Sequence, residues 1–260
     1  MKKMIAVMLV LVMALSLCAC GKSDEPKEAS LDSQVLKTGT LVVGICADYP
    51  PFEYLDDAGN LIGFDPDMIT WLAEQLKTAD GKAYSVEFVQ IDFSNIISAL
   101  QLGQVDVGVA AFSYDPERQC AFTDPYYASA QVVAVRADSE FTKPEDLING
   151  YEIVAGEGTI GFDAATEFFT GSTISSAGGS YLAMFEQVAA GQKDAIVADD
   201  IVAQQYVNAG NFKIIGKLST DELCITVKEG NDKIVEALNA AIKELYDSGK
   251  YEELRGKWGV

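Results

Sequence analysis

The sequence predicts an α/β protein made of two units, each with a mostly parallel sheet that is covered by helices. Short apolar runs rich in β-branched residues alternate with stretches in which apolar residues recur at helical spacing. One series of these elements ends near residue 112, and a second series begins near residue 131. Two units of this kind can enclose a small ligand in a cleft between them.

The first unit is predicted to have the order β-α-β-α-β. Its three strands are expected at residues 40–46, 84–91 and 105–112. The run DDAGN at residues 56–60 is a hairpin turn signal. We expect Asp65 to be the N-cap of the first helix, with Pro66 at its first position, and Asp92 to cap the second helix. In such parallel sheets, ligands bind beyond the carboxyl ends of the strands.

The second unit repeats this pattern. Its strands are expected at residues 131–136, 152–155 and 194–198. Residues 180–190 have helical spacing and are expected to lie between two of these strands. The chain then returns to a strand at residues 223–228, an amphipathic helix around Leu238, and a last helix at residues 251–258.

Two turns are candidate anion sites. The run FSYDPER at residues 112–118 follows a strand, and we expect it to open into a helix whose first N–H groups lie beside the guanidinium of Arg118. The run GEGT at residues 156–159 precedes a second expected helix. Both could hold a small carboxylate. The alternatives are a surface arginine in an ion pair and an ordinary glycine turn.

The composition excludes several classes of function. The chain has a formal net charge of -20, which argues against nucleic acid as a partner. It contains no histidine, so Ser-His-Asp and Cys-His nucleophiles are excluded, and we expect no metal or other cofactor. Beyond the N-terminal segment the cysteines are Cys46, Cys120 and Cys224, which allow at most one disulfide and fit no zinc pattern.

The N-terminus has the features of a secretory signal. A basic start is followed by an apolar run at residues 4–15, too short for a stop-transfer helix, and by small residues. The run LCAC at residues 17–20 resembles a bacterial lipobox, so residues 1–19 are interpreted as a lipoprotein signal peptide and Cys20 as the lipidated first residue. Residues 20–33 are polar and are expected to form a flexible tether. A plain signal peptide or an uncleaved anchor is the alternative.

A series of motifs carries a resemblance to a known family. In chain order they are VG at residues 43–44, DYPPF at 48–52, GFDPD at 63–67, ISALQLGQVDV at 97–107, SYDPER at 113–118, FTDPYY at 122–127, DAIVAD at 194–199 and KWG at 257–259. Each motif is weak alone, but their order and spacing are specific. From about residue 39 onward the chain resembles the solute-binding proteins of bacterial ABC importers, in the family that binds polar amino acids.

The resemblance implies a two-lobed periplasmic-binding-protein fold of type 2, with two mixed sheets, helices on both faces of each sheet, and two hinge strands. Lobe 1 would comprise residues 34–129 and 222–260, and lobe 2 residues 130–221. The implied function is capture of an amino acid in the cleft and delivery to the permease and ATPase subunits of an ABC transporter. The protein is expected to be a monomer, not an enzyme, held on the extracytoplasmic face of the cell membrane by a lipid anchor at Cys20.

The resemblance also assigns roles to residues of the cleft. Arg118 would pair with the α-carboxylate of the ligand, helped by Ser113 and by the backbone N–H of Thr159. Asp199 would receive the α-ammonium group, although Asp200 directly follows it and is an equally good candidate by residue type. A zwitterion that enters a cleft must replace its hydration with paired, hydrogen-bonded charges.

Tyr49 and Phe93 match the family's aromatic walls around the ligand side chain, with core packing as the alternative. Cys46 stands where members that select basic or polar side chains often have aspartate, and Ala111 stands where serine or glycine is common. Such a pocket predicts a neutral ligand. Glu157 keeps a basic amino acid possible.

An enzyme on the same fold is the main rival from another class. Dehydratases that resemble these binding proteins protonate a leaving hydroxyl with a carboxylate, and Glu157 is the candidate for that acid.

Overall fold

A computed structural model describes residues 39–78, 80–176 and 180–260. The predicted signal peptide, Cys20 and the tether lie outside the described residues.

Strands and helices alternate through the described part of the chain. The strands are β1 (Thr40–Ile45), β2 (Asp48–Tyr49), β3 (Glu53–Leu55), β4 (Leu61–Ile62), β5 (Ser85–Gln90), β6 (Val107–Ser113), β7 (Ala121–Phe122), β8 (Tyr127–Arg136), β9 (Glu152–Val154), β10 (Thr173–Ser175), β11 (Ala195–Asp199) and β12 (Phe212–Val227). The helices are α1 (Phe64–Gln75), α2 (Phe93–Gln101), α3 (Ile160–Phe168), α4 (Tyr181–Ala189), α5 (Asp200–Asn208), α6 (Asp232–Asp247) and α7 (Lys250–Trp258), with a 3₁₀ turn at Pro144–Leu147. This confirms the predicted α/β class.

Two long antiparallel strands, β8 and β12, connect the two lobes. They pair from Arg136 opposite Phe212 to Tyr127 opposite Leu223. On one side β8 continues to β11, β9 and β10, and on the other β12 continues to β6, β1 and β5. The two mixed sheets expected from the sequence therefore share their hinge strands, and their hydrogen bonding is continuous. The exact lobe boundaries stay a prediction.

Each lobe has its own packed interior. In the second lobe, Val133, Ile153 and Val197 from three strands pack against Phe169 at the end of α3. In the first lobe, α1 and α2 pack on the sheet formed by β5, β1 and β6, and the C-terminal helices α6 and α7 pack beside α1. The apolar stripe of α6 around Leu238 is fully buried, as its spacing predicts.

The start of α1 differs from the expectation. Gly63, not Asp65, is the N-cap, and Asp65 lies fully buried in the first turn. Gly63 has φ 138°, and a Cβ there would lie 2.0 Å from the carbonyl oxygen of Phe52, so only glycine fits. Asp65 accepts a hydrogen bond from the backbone of Ala111 instead of capping its own helix. A local capping rule could not detect this distant partner.

The helix expected around Arg118 is also wrong. Residues 114–120 form turns between β6 and β7. The N–H of Glu117 donates to the carboxylate of Asp115 at 2.9 Å, and the N–H of Arg118 donates to the Asp115 carbonyl at 3.1 Å. The side chain of Asp115 thus stabilises a turn that does not continue into a helix, so this site has no helix N-terminus.

The predicted hairpin turn is confirmed. The hairpin at residues 56–60 joins β3 to β4, and Asp56 accepts backbone hydrogen bonds within the turn. Cys46, Cys120 and Cys224 are free thiols, so they form no disulfide among the described residues. In this part of the chain, no helix combines the length and apolar character needed to cross a membrane.

Candidate functional site

A cavity of about 370 Å³ lies between the two lobes. Side chains from β6 and from the turns after β1 line one wall, and the turn before α3 and the end of β11 line the other. All eight ligand-contact candidates of the sequence line it: Cys46, Tyr49, Phe93, Ala111, Ser113, Arg118, Thr159 and Asp199. The fold therefore brings together residues that are up to 153 positions apart in the chain.

Arg118 is held by aromatic rings. Its side chain is only 11% exposed, and the guanidinium lies over the rings of Phe93 and Phe112 at 5.7 and 5.2 Å from their centroids. Those two rings stack on each other at 4.5 Å. Burial lowers the pKa of Arg118, and the nearby carboxylate of Asp115 opposes that effect. The guanidinium stays charged and is fixed in orientation by its stacking.

Asp199 is a buried carboxylate at the end of β11, with 4% of the residue exposed. It accepts hydrogen bonds from Tyr49 Oη (2.5 Å), Ser129 Oγ (2.5 Å) and Gln131 Nε2 (3.1 Å). Burial, with the neighbouring carboxylate of Asp221, raises the pKa of Asp199 to about 6. Among the described residues no lysine or arginine forms an ion pair with it, which suits an ammonium group from a ligand.

Asp200 occupies a different position. It lies in the first turn of α5, where its carboxylate accepts the N–H of Ile201 at 2.8 Å and the hydroxyl of Ser129 at 3.2 Å. The cavity is lined by Asp199 and not by Asp200. The geometry thus favours Asp199 as the residue that could contact a ligand.

A hydrogen-bond network connects the hinge strands below the cavity. Gln131 on β8 donates to Asp199 and, at 2.9 Å, to Asp221 on β12, and Ser113 Oγ donates to the same Asp221 oxygen at 2.5 Å. Sequence reasoning missed Gln131, Ser129 and Asp221. One signal was available for Gln131, because an amide side chain within the apolar run at residues 131–136 has to find buried partners.

Several hydrogen bonds between described residues cross the cleft from lobe to lobe, away from the hinge strands. Arg118 Nη2 donates to the carbonyl of Gly158 at 3.0 Å, and Tyr49 donates to Asp199 as described above. The carboxylate of Asp48 accepts the N–H of Tyr181, the first residue of α4, at 3.3 Å. Tyr181, which sequence reasoning also missed, lies with its ring 4.5 Å from that of Tyr49. Asp48 therefore caps a helix of the opposite lobe.

Thr159 is the N-cap of α3. Its hydroxyl accepts the N–H of Phe162 and donates to the carbonyl of Gly156, and its own N–H lies 3.2 Å from the same carbonyl. The expected helix after the glycine turn is confirmed. A contact between the Thr159 N–H and a ligand stays a prediction, because that N–H has a partner within the turn.

The rest of the lining is rich in carboxyl groups. Asp48, Asp92 and Glu157 line the cavity beside Asp199, whereas Arg118 is the one cation among its described lining residues. Cys46 donates its S–H to Asp48 at 3.3 Å, and burial and that carboxylate raise the pKa of the thiol to about 12, so the thiol stays neutral.

The sequence profile of one family matches nearly the whole described region. The family is described as bacterial extracellular solute-binding proteins, family 3, and the match covers residues 41–260. The chain belongs to this family. The family 3 protein has the two-lobed architecture that its sequence motifs imply, with the cavity between the lobes.

Relatives of the family 3 protein bind different amino acids. The arginine-binding extracellular protein ArtP of Bacillus subtilis is 26% identical over 265 residues, which cover 99% of this chain and 98% of ArtP. The glutamine-binding protein GlnH of Bacillus subtilis is 27% identical over 270 residues, with 99% and 97% covered. The crystal structure of an ancestral amino acid-binding protein, AncCDT-1, a precursor of cyclohexadienyl dehydratase, superposes with a TM-score of 0.78 at 31% identity and covers 85% of this chain and 95% of its own.

Proposed function

We propose that this protein captures a free amino acid in the cleft and delivers it to the permease of an ABC transporter. The observation that carries the proposal is that one cavity holds a guanidinium with only 11% of its side chain exposed and a buried carboxylate. Among the described residues, this carboxylate has no cationic side chain within ion-pair distance. Arg118 binds the α-carboxylate and Asp199 binds the α-ammonium group. A zwitterion of this type satisfies both groups at once.

Closure of the lobes completes the site in this proposal. Tyr49, Asp48 and Arg118 each hydrogen-bond to the opposite lobe, so these bonds form only when the lobes approach. Closure removes water and strengthens the charge pairs around the ligand. The closed form is the state that presents both lobes to a permease. Lipidation at Cys20 holds the protein at the extracytoplasmic face of the membrane, where it acts as a monomer.

A neutral amino acid is the proposed ligand. Cys46 and Ala111 offer little hydrogen bonding to a side chain, and the carboxylate of Asp48 already has donors in Cys46 and Tyr181. An acidic ligand is disfavoured because Arg118, the one cation among the described lining residues, is taken by the α-carboxylate.

A basic amino acid is the second candidate. The specific observation in its favour is the excess of carboxyl groups in the lining, since Asp92 and Glu157 join Asp48 and Asp199 there. A cationic side chain close to these groups would offset their repulsion. ArtP, which is named for arginine, and GlnH, which is named for glutamine, match the chain almost equally well.

A thermal-shift screen of the purified protein against the common amino acids tests the proposal. A ligand that binds only the folded state raises the melting temperature, so one or a few amino acids should stand out. Glutamine or another neutral amino acid is expected to rank first, and a stronger response to arginine or lysine would select the second candidate. No response to any amino acid would contradict the transport function.

Arg118→Ala supplies the second test. Loss of one partner of a buried charge pair weakens binding by about 2 to 5 kcal/mol, or roughly 30-fold to several thousand-fold. Calorimetry should then detect no binding. Arg136→Ala is the matched control, because the Arg136 side chain is 41% exposed and its ion pair with Asp138 lies at the surface. Equal affinities in the two variants would refute the assignment.

A dehydratase activity has weaker support. Glu157, its candidate general acid, is exposed, so the desolvation that often tunes such an acid is missing. Incubation with prephenate-like acids should therefore yield no product.

A further inference from the structure

A backbone irregularity lies beside the cavity on β6. Cys224 pairs with Phe112 and Thr226 pairs with Gly108, so one residue of β12, Ile225, faces three residues of β6 at positions 109–111. Ala111, at the end of this bulge, has φ 46°, a left-handed conformation that residues with a side chain rarely adopt. Ala111 also lines the cavity. Something outside the sheet has to hold this backbone in place.

The sheet itself does not provide that support. Ile225, which faces the bulge, directs its N–H to Thr123 Oγ1 and its carbonyl to the N–H of Thr123, both at 3.0 Å. The N–H of Ala111 donates instead to Asp65 Oδ2 at 3.1 Å, and the hydroxyl of Tyr126 donates to the same oxygen at 2.9 Å. Asp65, 0% exposed, therefore replaces the missing strand partner of Ala111.

A second buried carboxyl group contacts Asp65. Glu53 on β3 is 1% exposed, lines the cavity and lies beside the Asp65 side chain, where the two carboxyl groups can hydrogen-bond if one of them carries a proton. No N–H or O–H of another described residue donates to Glu53 Oε2 or Asp65 Oδ1. Two carboxyl groups can hydrogen-bond to each other only if one of them carries a proton.

The surroundings of the pair favour one retained proton. Among the described residues, Cys46 and Asp48 act most strongly on Glu53 besides Asp65, and Tyr126 donates to Asp65; none of these three is a cation. Burial and the adjacent Asp65 carboxylate raise the pKa of Glu53 well above its ordinary value. Asp65, with donors in Glu53, Ala111 and Tyr126, is the member of the pair that ionises first, and burial raises its pKa to about 6.

We propose that Glu53 and Asp65 share one proton and together hold the Ala111 backbone against the cavity, which makes Glu53 a positioning residue of the binding site. Glu53 acts as the donor, Asp65 as the acceptor, and Asp65 in turn fixes the N–H of Ala111. The effect of Glu53 on ligand affinity rests on the proposed function. The proton shared by Glu53 and Asp65 does not depend on that function.

The pH dependence follows from the retained proton. The folded protein binds this proton more tightly than the unfolded chain, so its stability falls as pH rises from the ordinary pKa of a glutamate towards the raised pKa of Glu53. When the proton leaves, two adjacent carboxylates repel each other and release Ala111, and ligand affinity falls. Cys46 and Tyr126 keep their protons in this range because burial raises the pKa of both.

Glu53→Gln and Glu53→Leu test the proposal, since glutamine keeps a donor for Asp65 and leucine has none. With L-arginine and L-glutamine as probes in calorimetry, Glu53→Gln should bind within about threefold of wild type, and Glu53→Leu at least about tenfold more weakly. As pH rises above neutral, affinity should fall in wild type more than in Glu53→Gln, because only wild type can lose the retained proton of Glu53. Infrared spectroscopy at neutral pH should show a protonated carboxyl band in wild type that Glu53→Gln lacks.

Two results would overturn the proposal: absence of the protonated carboxyl band, or equal affinities of the glutamine and leucine variants. If Glu53→Leu does not fold, wild type and Glu53→Gln are compared by their infrared spectra and by the pH dependence of their free energies of unfolding. Parallel curves of unfolding free energy against pH would refute the shared proton. Failure of wild type to bind either probe counts against the proposed ligand, while the infrared band still reports on the pair.

Discussion

Replacement of Asp199 by asparagine should remove a pH dependence that the structure builds into the binding site. Asp199 has three hydrogen-bond donors around its carboxylate, and burial together with Asp221 raises its pKa from 3.8 to about 6. Each pKa unit corresponds to about 1.4 kcal/mol, so this rise corresponds to about 3 kcal/mol. The ionised form of Asp199 is destabilised by roughly that amount in the ligand-free protein.

The sign of the effect differs between stability and binding. The folded protein holds the Asp199 proton more tightly than the unfolded chain, so the free energy of unfolding without ligand falls as pH rises from about 4 to about 6. An ammonium group binds the ionised carboxylate, so ligand affinity should fall as pH drops below about 6, by up to about tenfold per pH unit. Asp199→Asn should remove the binding trend and reduce the stability trend, to which Asp65 and Glu53 also contribute through their raised pKa values.

Calorimetry at several pH values between about 5 and 7 measures the effect, with the amino acid that ranks first in the thermal-shift screen. Asp199→Asn should weaken binding by about 2 to 5 kcal/mol at neutral pH and leave it independent of pH. Asp200→Asn is the matched control and should keep both the affinity and its pH dependence. A wild-type affinity in Asp199→Asn, or equal losses in the two variants, would refute the assignment.

The remaining predictions concern closure and the backbone. Asp48→Ala removes the carboxylate that caps α4 from the opposite lobe, so stopped-flow measurements should show ligand release that is roughly fivefold faster or more. An unchanged release rate would mean that this bond does not hold the closed form. Tyr49→Phe removes a donor to Asp199 and should raise the pKa of that carboxyl further, which shifts the midpoint of the affinity profile to higher pH; an unshifted midpoint would contradict the contact. Gly63→Ala should lower the free energy of unfolding in urea by more than about 2 kcal/mol, because its Cβ would overlap a carbonyl oxygen. Gly59 has φ 80° but open space around it, so Gly59→Ala should lower that free energy by only about 1 kcal/mol. Equal losses in the two variants would show that backbone strain, and not overlap, dominates.

Local patterns were reliable where the interactions that form an element are local. The apolar stripe of α6 and the turn at residues 56–60 depend on neighbours within a few positions, and both were predicted correctly. The helix expected at Arg118 is wrong although the pattern was local, and the chain there forms turns that lead into β7.

The candidate site was predictable from the sequence only through the order of its motifs. Arg118 and Asp199 are single charged residues whose local surroundings allow a surface role equally well. The resemblance brought them together, and the fold confirms that both line one cavity. Gln131 and Tyr181 escaped prediction because their partners lie on other elements, and no local rule connects them.

The sequence alone determined the α/β class, the order of most elements, the family and the candidate residues of the cleft, because these depend on periodicity, turn chemistry and motif spacing. Tertiary structure decided which groups share hydrogen bonds. Asp65 could have capped its own helix, but it supports Ala111, and Asp48 caps a helix of the opposite lobe. A buried carboxyl group takes the donors that the fold brings to it, and those donors come from segments far away in the chain.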